Sequence, residues 1–116
     1  MEPYLRAKGT NFYTIGLSYK KADAEVRGRF SVNEEAKEGI LKQAKKEGVE
    51  ALLVTSTCNR TEIHGFAQHP FQLIKLLCKH TNGTVEEFEK VAYIHKNSQA
   101  VTHLFRVGTG LDSQIL

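Results

Sequence analysis

The sequence predicts an α+β domain, with an antiparallel sheet of four strands and helices packed on one face. Three observations carry that prediction. Segments at 12–19, 49–56, 61–67 and 91–95 alternate polar and apolar residues or carry a short apolar run, as strands do. Between them lie stretches with helical spacing and start signals, opening at Ser31, Pro70 and Thr84. At 116 residues, with 41% hydrophobic and 25% charged residues, the chain has the length and make-up of one globular domain with a modest core.

Residues 1–10 show no periodicity and are expected to form a flexible arm, leaving 11–116 as the folded domain. From Phe12 to Tyr19, the side chains of Tyr13, Ile15, Leu17 and Tyr19 point one way and those of Thr14, Gly16 and Ser18 the other. A face of small residues lets another element or a ligand come close. Lys20 to Arg29 is charged and irregular; it reads as a solvated loop, with phosphate contact by Arg27 and Arg29 as the sharper alternative.

Ser31-Val32-Asn33-Glu34 fits a capping box, and Ala36, Ile40, Leu41 and Ala44 form a narrow apolar stripe that Gly48 ends. After the strands 49–56 and 61–67, Pro70 opens a helix whose apolar residues are Phe71, Leu73, Ile74, Leu76, Leu77 and Cys78, which makes Cys78 core packing. Asn82-Gly83 breaks it, and Thr84-Val85-Glu86-Glu87 is a second capping box for a short helix to about Lys90. Val91 to His95 supplies the fourth strand, and Asn97 or Ser98 caps a last helix. In that helix Val101, Leu104, Phe105 and Gly108 share one face, while His103 falls on the other, at the surface or in a cleft. The order β-α-β-β-α-β with an added C-terminal helix is that of a ferredoxin-like sheet.

A net charge of +3 and a pI near 8.9 permit contact with a polyanion without demanding one. Two cysteines in unlike surroundings make no disulfide framework. No apolar run approaches the roughly eighteen residues that span a bilayer, and Met1 to Arg6 lacks the apolar core of a signal peptide, so the cytoplasm is the default location. Cys58, His64, His69, His80, His95 and His103 are metal-ligand types, but no pair has a recognised ligand spacing, and no metal is predicted. Gly108-x-Gly110 stands alone after a helix and is no dinucleotide fingerprint.

The chemistry concentrates between the second and third strands, in Ser56-Thr57-Cys58-Asn59-Arg60-Thr61-Glu62. A turn needs Gly, Pro, Asn or Asp; this one carries a thiol, a guanidinium, a carboxylate and several hydroxyls. A cation beside Cys58 favours thiolate, the nucleophilic form. The plainer reading is a half-buried cysteine in a polar hairpin, with Arg60 and Glu62 as a cross-strand pair.

This motif, Ser56 to Ile63, resembles the signature of glutamyl-tRNA reductase, the NADPH-dependent enzyme that opens five-carbon tetrapyrrole synthesis. His103-Leu104-Phe105-Arg106-Val107 with Gly110-Leu111-Asp112-Ser113 resembles that family's histidine helix and following turn. Gly16, Lys20, Ala22, Arg27, Arg29 and Ser31 fit its early segment. The resemblance implies that Cys58 attacks the ester of glutamyl-tRNA to give a thioester, which NADPH reduces to glutamate-1-semialdehyde, with His103 assisting. It implies substrate contacts from Thr57, Asn59, Arg60 and Ser113, with Arg60 pairing a glutamyl carboxylate. The acceptor end of glutamyl-tRNA is then the partner. NADPH binding and homodimer formation fall to regions absent from this chain, which stops at Leu116 inside a motif the family continues.

Tyr19, Asp23, His64 and Val107-Gly108-Thr109 depart from the family's usual residues. Two other readings compete: a non-catalytic ferredoxin-like RNA-binding module, and a redox sensor that would need a resolving thiol.

Overall fold

The computed structural model describes residues 9–108. Strand β1 (Asn11–Ser18) is the spine of the sheet, flanked on one side by β3 (Arg60–Ala67) and on the other by β4 (Tyr93–Lys96). Strand β2 (Glu50–Ser56) joins beyond β3, so the order is β2-β3-β1-β4 with every pairing antiparallel. The arm expected over 1–10 lies outside the described residues except for Gly9 and Thr10, and the latter is buried.

Alternation along β1 sorts the two faces of the sheet. Tyr13, Ile15 and Leu17 enter one apolar core with Val54 and Ile63. Three helices complete that core: α2 (Glu34–Lys46) through Ile40 and Ala44, α3 (Pro70–Lys79) through Leu73, Ile74, Leu76 and Leu77, and α4 (Val85–Val91) through Phe88. On the opposite face the register sets Gly16 between Glu62 and Tyr93, and Thr14 between His64 and His95. Helix α5 (Ser98–Gly108) packs against β4 and β1 on this second, polar face.

Several local expectations change. The stretch 20–29 is not all loop: Ala24–Arg29 forms helix α1, capped by Asp23, whose carboxylate accepts the Val26 N–H at 2.9 Å. It buries none of its own residues, so it has no apolar stripe to announce it. Asn33 caps α2 by accepting the Ala36 N–H at 2.8 Å, while the Ser31 hydroxyl instead donates to Gly28 O at 3.0 Å. Gly48 ends the α2 connection at φ +77°, a conformation that favours glycine. The Thr84–Glu87 capping box forms as expected.

The last helix places His103 in a cleft, one of the two positions expected for it, but the stripe of Val101 and Phe105 opposite does not pack. Ala100 is its fully buried residue and His103 is part-buried, whereas Val101 is 42% and Phe105 73% exposed. The sheet face beneath it is made of Thr14, Gly16, Glu62 and Tyr93, which suits an imidazole better than Leu or Phe. Hydrophobic periodicity picked the stripe with most carbon; hydrogen bonding to the sheet picked the other. Tyr19, expected to point the same way as Tyr13, Ile15 and Leu17, lies past the end of β1 and is 55% exposed. Leu41 and Phe71 are likewise exposed.

Candidate active site

The hairpin between β2 and β3 is held by its own hydroxyls. Thr57 N–H donates to Arg60 O at 2.8 Å, and Thr57 Oγ1 accepts the N–H of Asn59 at 3.2 Å and of Arg60 at 3.3 Å. Ser56 Oγ lies 2.9 Å from Thr61 Oγ1 and accepts the Val32 N–H at 3.0 Å. A neighbouring segment grips the tip from outside. Arg27 donates from Nε to Cys58 O at 2.9 Å and from Nη1 to Ala22 O at 2.7 Å, and Tyr19 N–H donates to Asn59 O at 2.9 Å. Cys58 is therefore exposed on a tip whose backbone is held by the hairpin's own bonds and by the 19–27 segment.

These bonds settle the two arginines of the early segment. Arg27 holds the cysteine loop through two backbone carbonyls, and Arg29 pairs with Glu87 at 2.5 Å and Glu25 at 3.2 Å, so both guanidinium groups are engaged within the fold. Cys78 is half-buried in α3, and burial, with a smaller push from the Glu87 charge, raises its thiol to about 11.

Under the hairpin lies a polar cluster centred on Glu62. Arg60, Glu62 and His64 are alternate residues of β3, so all three face the side on which α5 packs. Glu62 is completely buried. Its Oε2 accepts hydrogen bonds from the Tyr93 hydroxyl at 2.6 Å and from His103 Nε2, and Arg60 Nη1 lies 3.7 Å away. Its Oε1 faces His64 Nε2 at 3.5 Å, and Nδ1 of His64 meets Thr14 Oγ1 at 2.7 Å. Burial alone would push this carboxyl up. The His64 imidazole facing it at 3.5 Å, with the hydrogen bonds from Tyr93 and His103, overcomes that burial and holds the group down at about 2. The same burial, reinforced by the Glu62 charge, pushes the Tyr93 hydroxyl far above its usual range.

Gly16 makes the cluster possible. A Cβ at that position would stand 2.7 Å from Thr61 O, 2.8 Å from Glu62 Cγ and 3.2 Å from Tyr93 Oη. The rings of His95 and His103 stack at 4.6 Å between centroids, and desolvation followed by the His103 charge lowers the pKa of His95.

An ionised carboxylate can only accept, so the Glu62 contact fixes the proton of His103 on Nε2 and leaves Nδ1 as the ring nitrogen able to exchange one. Thr57, Asn59, Arg60 and His103, all singled out from sequence, line one cleft of about 400 Å³ together with Tyr19, Lys20, Arg106 and Val107. A second cleft of about 330 Å³ shares Lys20, Arg60, His103 and Arg106 and adds Lys21 and Tyr93. Cys58 stands exposed between two of the lining residues. Arg60 is directed at Glu62 rather than reserved for the thiol. Ser113 lies outside the described residues.

Sequence reasoning missed Glu62 and Tyr93 as members of the site. The available signal was three ionisable residues at alternate positions of an otherwise buried strand, opposite a strand face of Thr, Gly and Ser. Among the described residues, no group of three or more His, Cys, Asp or Glu is placed to hold a metal ion. Nor do the described residues fit a dinucleotide: the sheet is antiparallel throughout, so it lacks the parallel strand–glycine turn–helix crossover that cradles a pyrophosphate. No helix among them is long and apolar enough to cross a membrane.

Comparison with known proteins places this geometry in context. Residues 15–116 match the family described as glutamyl-tRNAGlu reductase, N-terminal domain. A glutamyl-tRNA reductase of Christiangramia forsetii is 74% identical over all 116 residues, and one of Flavobacterium psychrophilum is 66% identical over the same span. One from Acinetobacter baumannii is 36% identical over 107 residues, covering 91% of the chain. The chain spans 28% of the length of the first two and 25% of the third. A solved glutamyl-tRNA reductase from Methanopyrus kandleri superposes with a TM-score of 0.63 over 87% of the chain and 23% of its own length, at 22% identity, which supports likeness of fold.

Proposed function

The chain belongs to the family of glutamyl-tRNA reductase N-terminal domains, and on that premise we propose that it is the acylating part of such a reductase, with Cys58 as the nucleophile. The observation that carries the reading is the exposed cysteine on a clamped tip, flanked by a cleft that also holds a carboxylate-bound histidine. The strand order β2-β3-β1-β4 supports the ferredoxin-like arrangement as its scaffold.

Cys58 loses its proton to Nδ1 of His103, and Sγ attacks the carbonyl carbon of the ester joining glutamate to the tRNA 3′ oxygen. The C–S bond forms, the C–O bond breaks, and the departing 3′ oxygen takes the proton back from His103. Glu62 keeps the imidazole oriented and stabilises its charged form while it carries that proton. Arg60, braced by Glu62 and lining the cleft, meets a glutamyl carboxylate with its planar fork. Thr57 contributes by shaping the tip, because its hydroxyl is occupied by two backbone N–H groups. Asn59 and Ser113 are further substrate contacts that rest on the family likeness.

In this family NADPH supplies the hydride that converts the thioester to an aldehyde. The described residues do not fit that cofactor, so the chemistry of this chain stops at the thioester and reduction belongs to the remainder of a longer protein. Membership of the tetrapyrrole pathway, a cytoplasmic location and a homodimer built through other segments follow from the likeness alone.

Glutamate release tests the reading. Without hydride transfer, water takes the thioester, so the chain should slowly free glutamate from glutamyl-tRNA. Cys58→Ala should abolish that release; release at the unaltered rate would remove Cys58 from the mechanism.

A further inference from the structure

Glu62 offers two oxygens, and the contacts described so far engage them unequally. Oε2 takes the Tyr93 hydroxyl at 2.6 Å and His103 Nε2, with Arg60 Nη1 at 3.7 Å. Oε1 is buried without a hydrogen-bond partner among the described residues. His64 Nε2 faces it at 3.5 Å, and it too is buried and unpartnered. His64 is 1% exposed and lines neither of the clefts beside Cys58, so it reaches a substrate only through its neighbours. Its ring is itself held, because Nδ1 lies 2.7 Å from Thr14 Oγ1. Register sets Thr14 opposite His64 across β1 and β3, the two inner strands of the sheet.

One proton arrangement suits these contacts. An ionised carboxylate only accepts, so a protonated Nε2 of His64 must face Oε1. Nδ1 of the neutral ring then accepts the Thr14 hydroxyl proton. Hydroxyl, ring and carboxylate form one row that ends on His103. A carboxylate turns about its last side-chain bond over a broad, two-fold range. A donor on Oε1 limits that turn, and with it the direction in which Oε2 meets His103.

We infer that His64 is a positioning residue for acyl transfer, pinning Oε1 so that Oε2 holds the His103 proton on Nε2 and leaves Nδ1 to take another. The inference rests on the reading that His103 exchanges a proton with Cys58, and it adds the group that aims the carboxylate behind it. Thr55 is the rival donor. It pairs with Glu62 in the register of β2 and β3, and its Oγ1 is likewise buried without a partner among the described residues. A ring held by Thr14 donates in one direction, whereas an unpartnered hydroxyl rotates.

The test pairs a rate with a tautomer. Acylation of Cys58 by glutamyl-tRNA is compared with its alkylation by iodoacetamide, and the tautomer of His103 is read from the imidazole nitrogen NMR shifts of the labelled chain. The unaltered chain should show His103 with its proton on Nε2; a proton on Nδ1 overturns the inference. His64→Leu keeps the bulk and removes the donor, so it should slow acylation on the order of tenfold, within the cost of slightly misplaced groups. Alkylation should keep its rate, and His103 should become a mixture of tautomers. His64→Gln puts an amide N–H near the place of Nε2 and should restore both the rate and the single tautomer. Thr55→Val should change neither. Unchanged rate and tautomer in His64→Leu, equal losses in His64→Gln, or loss in Thr55→Val alone overturns the inference. If His64→Leu does not fold, Thr14→Val decides: it should shift both readouts the same way by a few-fold, and no shift overturns the inference. The expected tautomer change in a chain that takes no glutamyl group keeps this contact and removes Cys58 as nucleophile.

Discussion

Glu62 and His103 are joined by a hydrogen bond from Nε2 to a carboxylate that is entirely buried between the sheet and α5. Forty-one residues separate them in the chain, and the contact exists because α5 crosses the polar face of the sheet. An uncompensated carboxylate in such a place would be costly; Tyr93, His64 and Arg60 surround it instead.

Replacing Glu62 by Gln should therefore disturb His103 before it disturbs the fold. The amide can donate as well as accept, so it no longer fixes one tautomer or stabilises imidazolium. Acylation of Cys58 by glutamyl-tRNA should slow on the order of a hundredfold, within the range of general acid–base contributions. Cys58 alkylation by a neutral reagent, which needs no proton delivered to a leaving group, should change much less. Equal losses in both assays would contradict the assignment.

Acid stability should carry the same signature. The carboxyl of Glu62 is depressed from 4.5 to about 2 in the folded state. A depressed carboxyl stabilises the fold above its unfolded value and loses that contribution as pH falls through the folded one. The window is thus from about 4.5 down to about 2. The effect is on the order of 3 kcal/mol. Denaturant unfolding of Glu62→Gln should lack this part of the pH dependence.

The cysteines should separate sharply. Cys78 is half-buried with its thiol raised to about 11, whereas Cys58 is exposed. Alkylation at neutral pH, located by peptide mass, should favour Cys58 by roughly a hundredfold or more, since thiolate fraction and access act together. Comparable labelling in the folded chain would be the contrary result.

Arg27→Ala tests the clamp. It removes the donors to Cys58 O and Ala22 O, bonds of a partly exposed side chain. Stability should drop by only about 1 kcal/mol. Acylation should fall several-fold because the tip loses its fixed position. Unchanged acylation would mean that the hairpin's own hydroxyls suffice.

The four strands and the helices after Asn33, Pro70 and Thr84 were legible because alternation, capping residues and proline act over a few neighbouring positions. Helix α1 was not, since Ala24–Arg29 buries nothing and leaves no stripe. The packing face of α5 was misread for a related reason: hydrophobicity cannot announce that Ala100 and His103, rather than Val101 and Phe105, meet a polar sheet face. The motif 56–62 marked the cysteine loop, yet its plainer reading made Arg60 and Glu62 a cross-strand pair, whereas both lie on β3. Their role depends on Gly16 and Tyr93, whose register across β1 no local window contains.

The central claim is that Cys58 is the acyl acceptor, and direct trapping tests it best. The chain, incubated with glutamyl-tRNA and quenched in acid, should show one glutamyl group on the peptide carrying Cys58. Hydroxylamine should remove that adduct, as it does a thioester. The same adduct on Cys58→Ala, or none on the unaltered chain while glutamate is still released, would contradict the account.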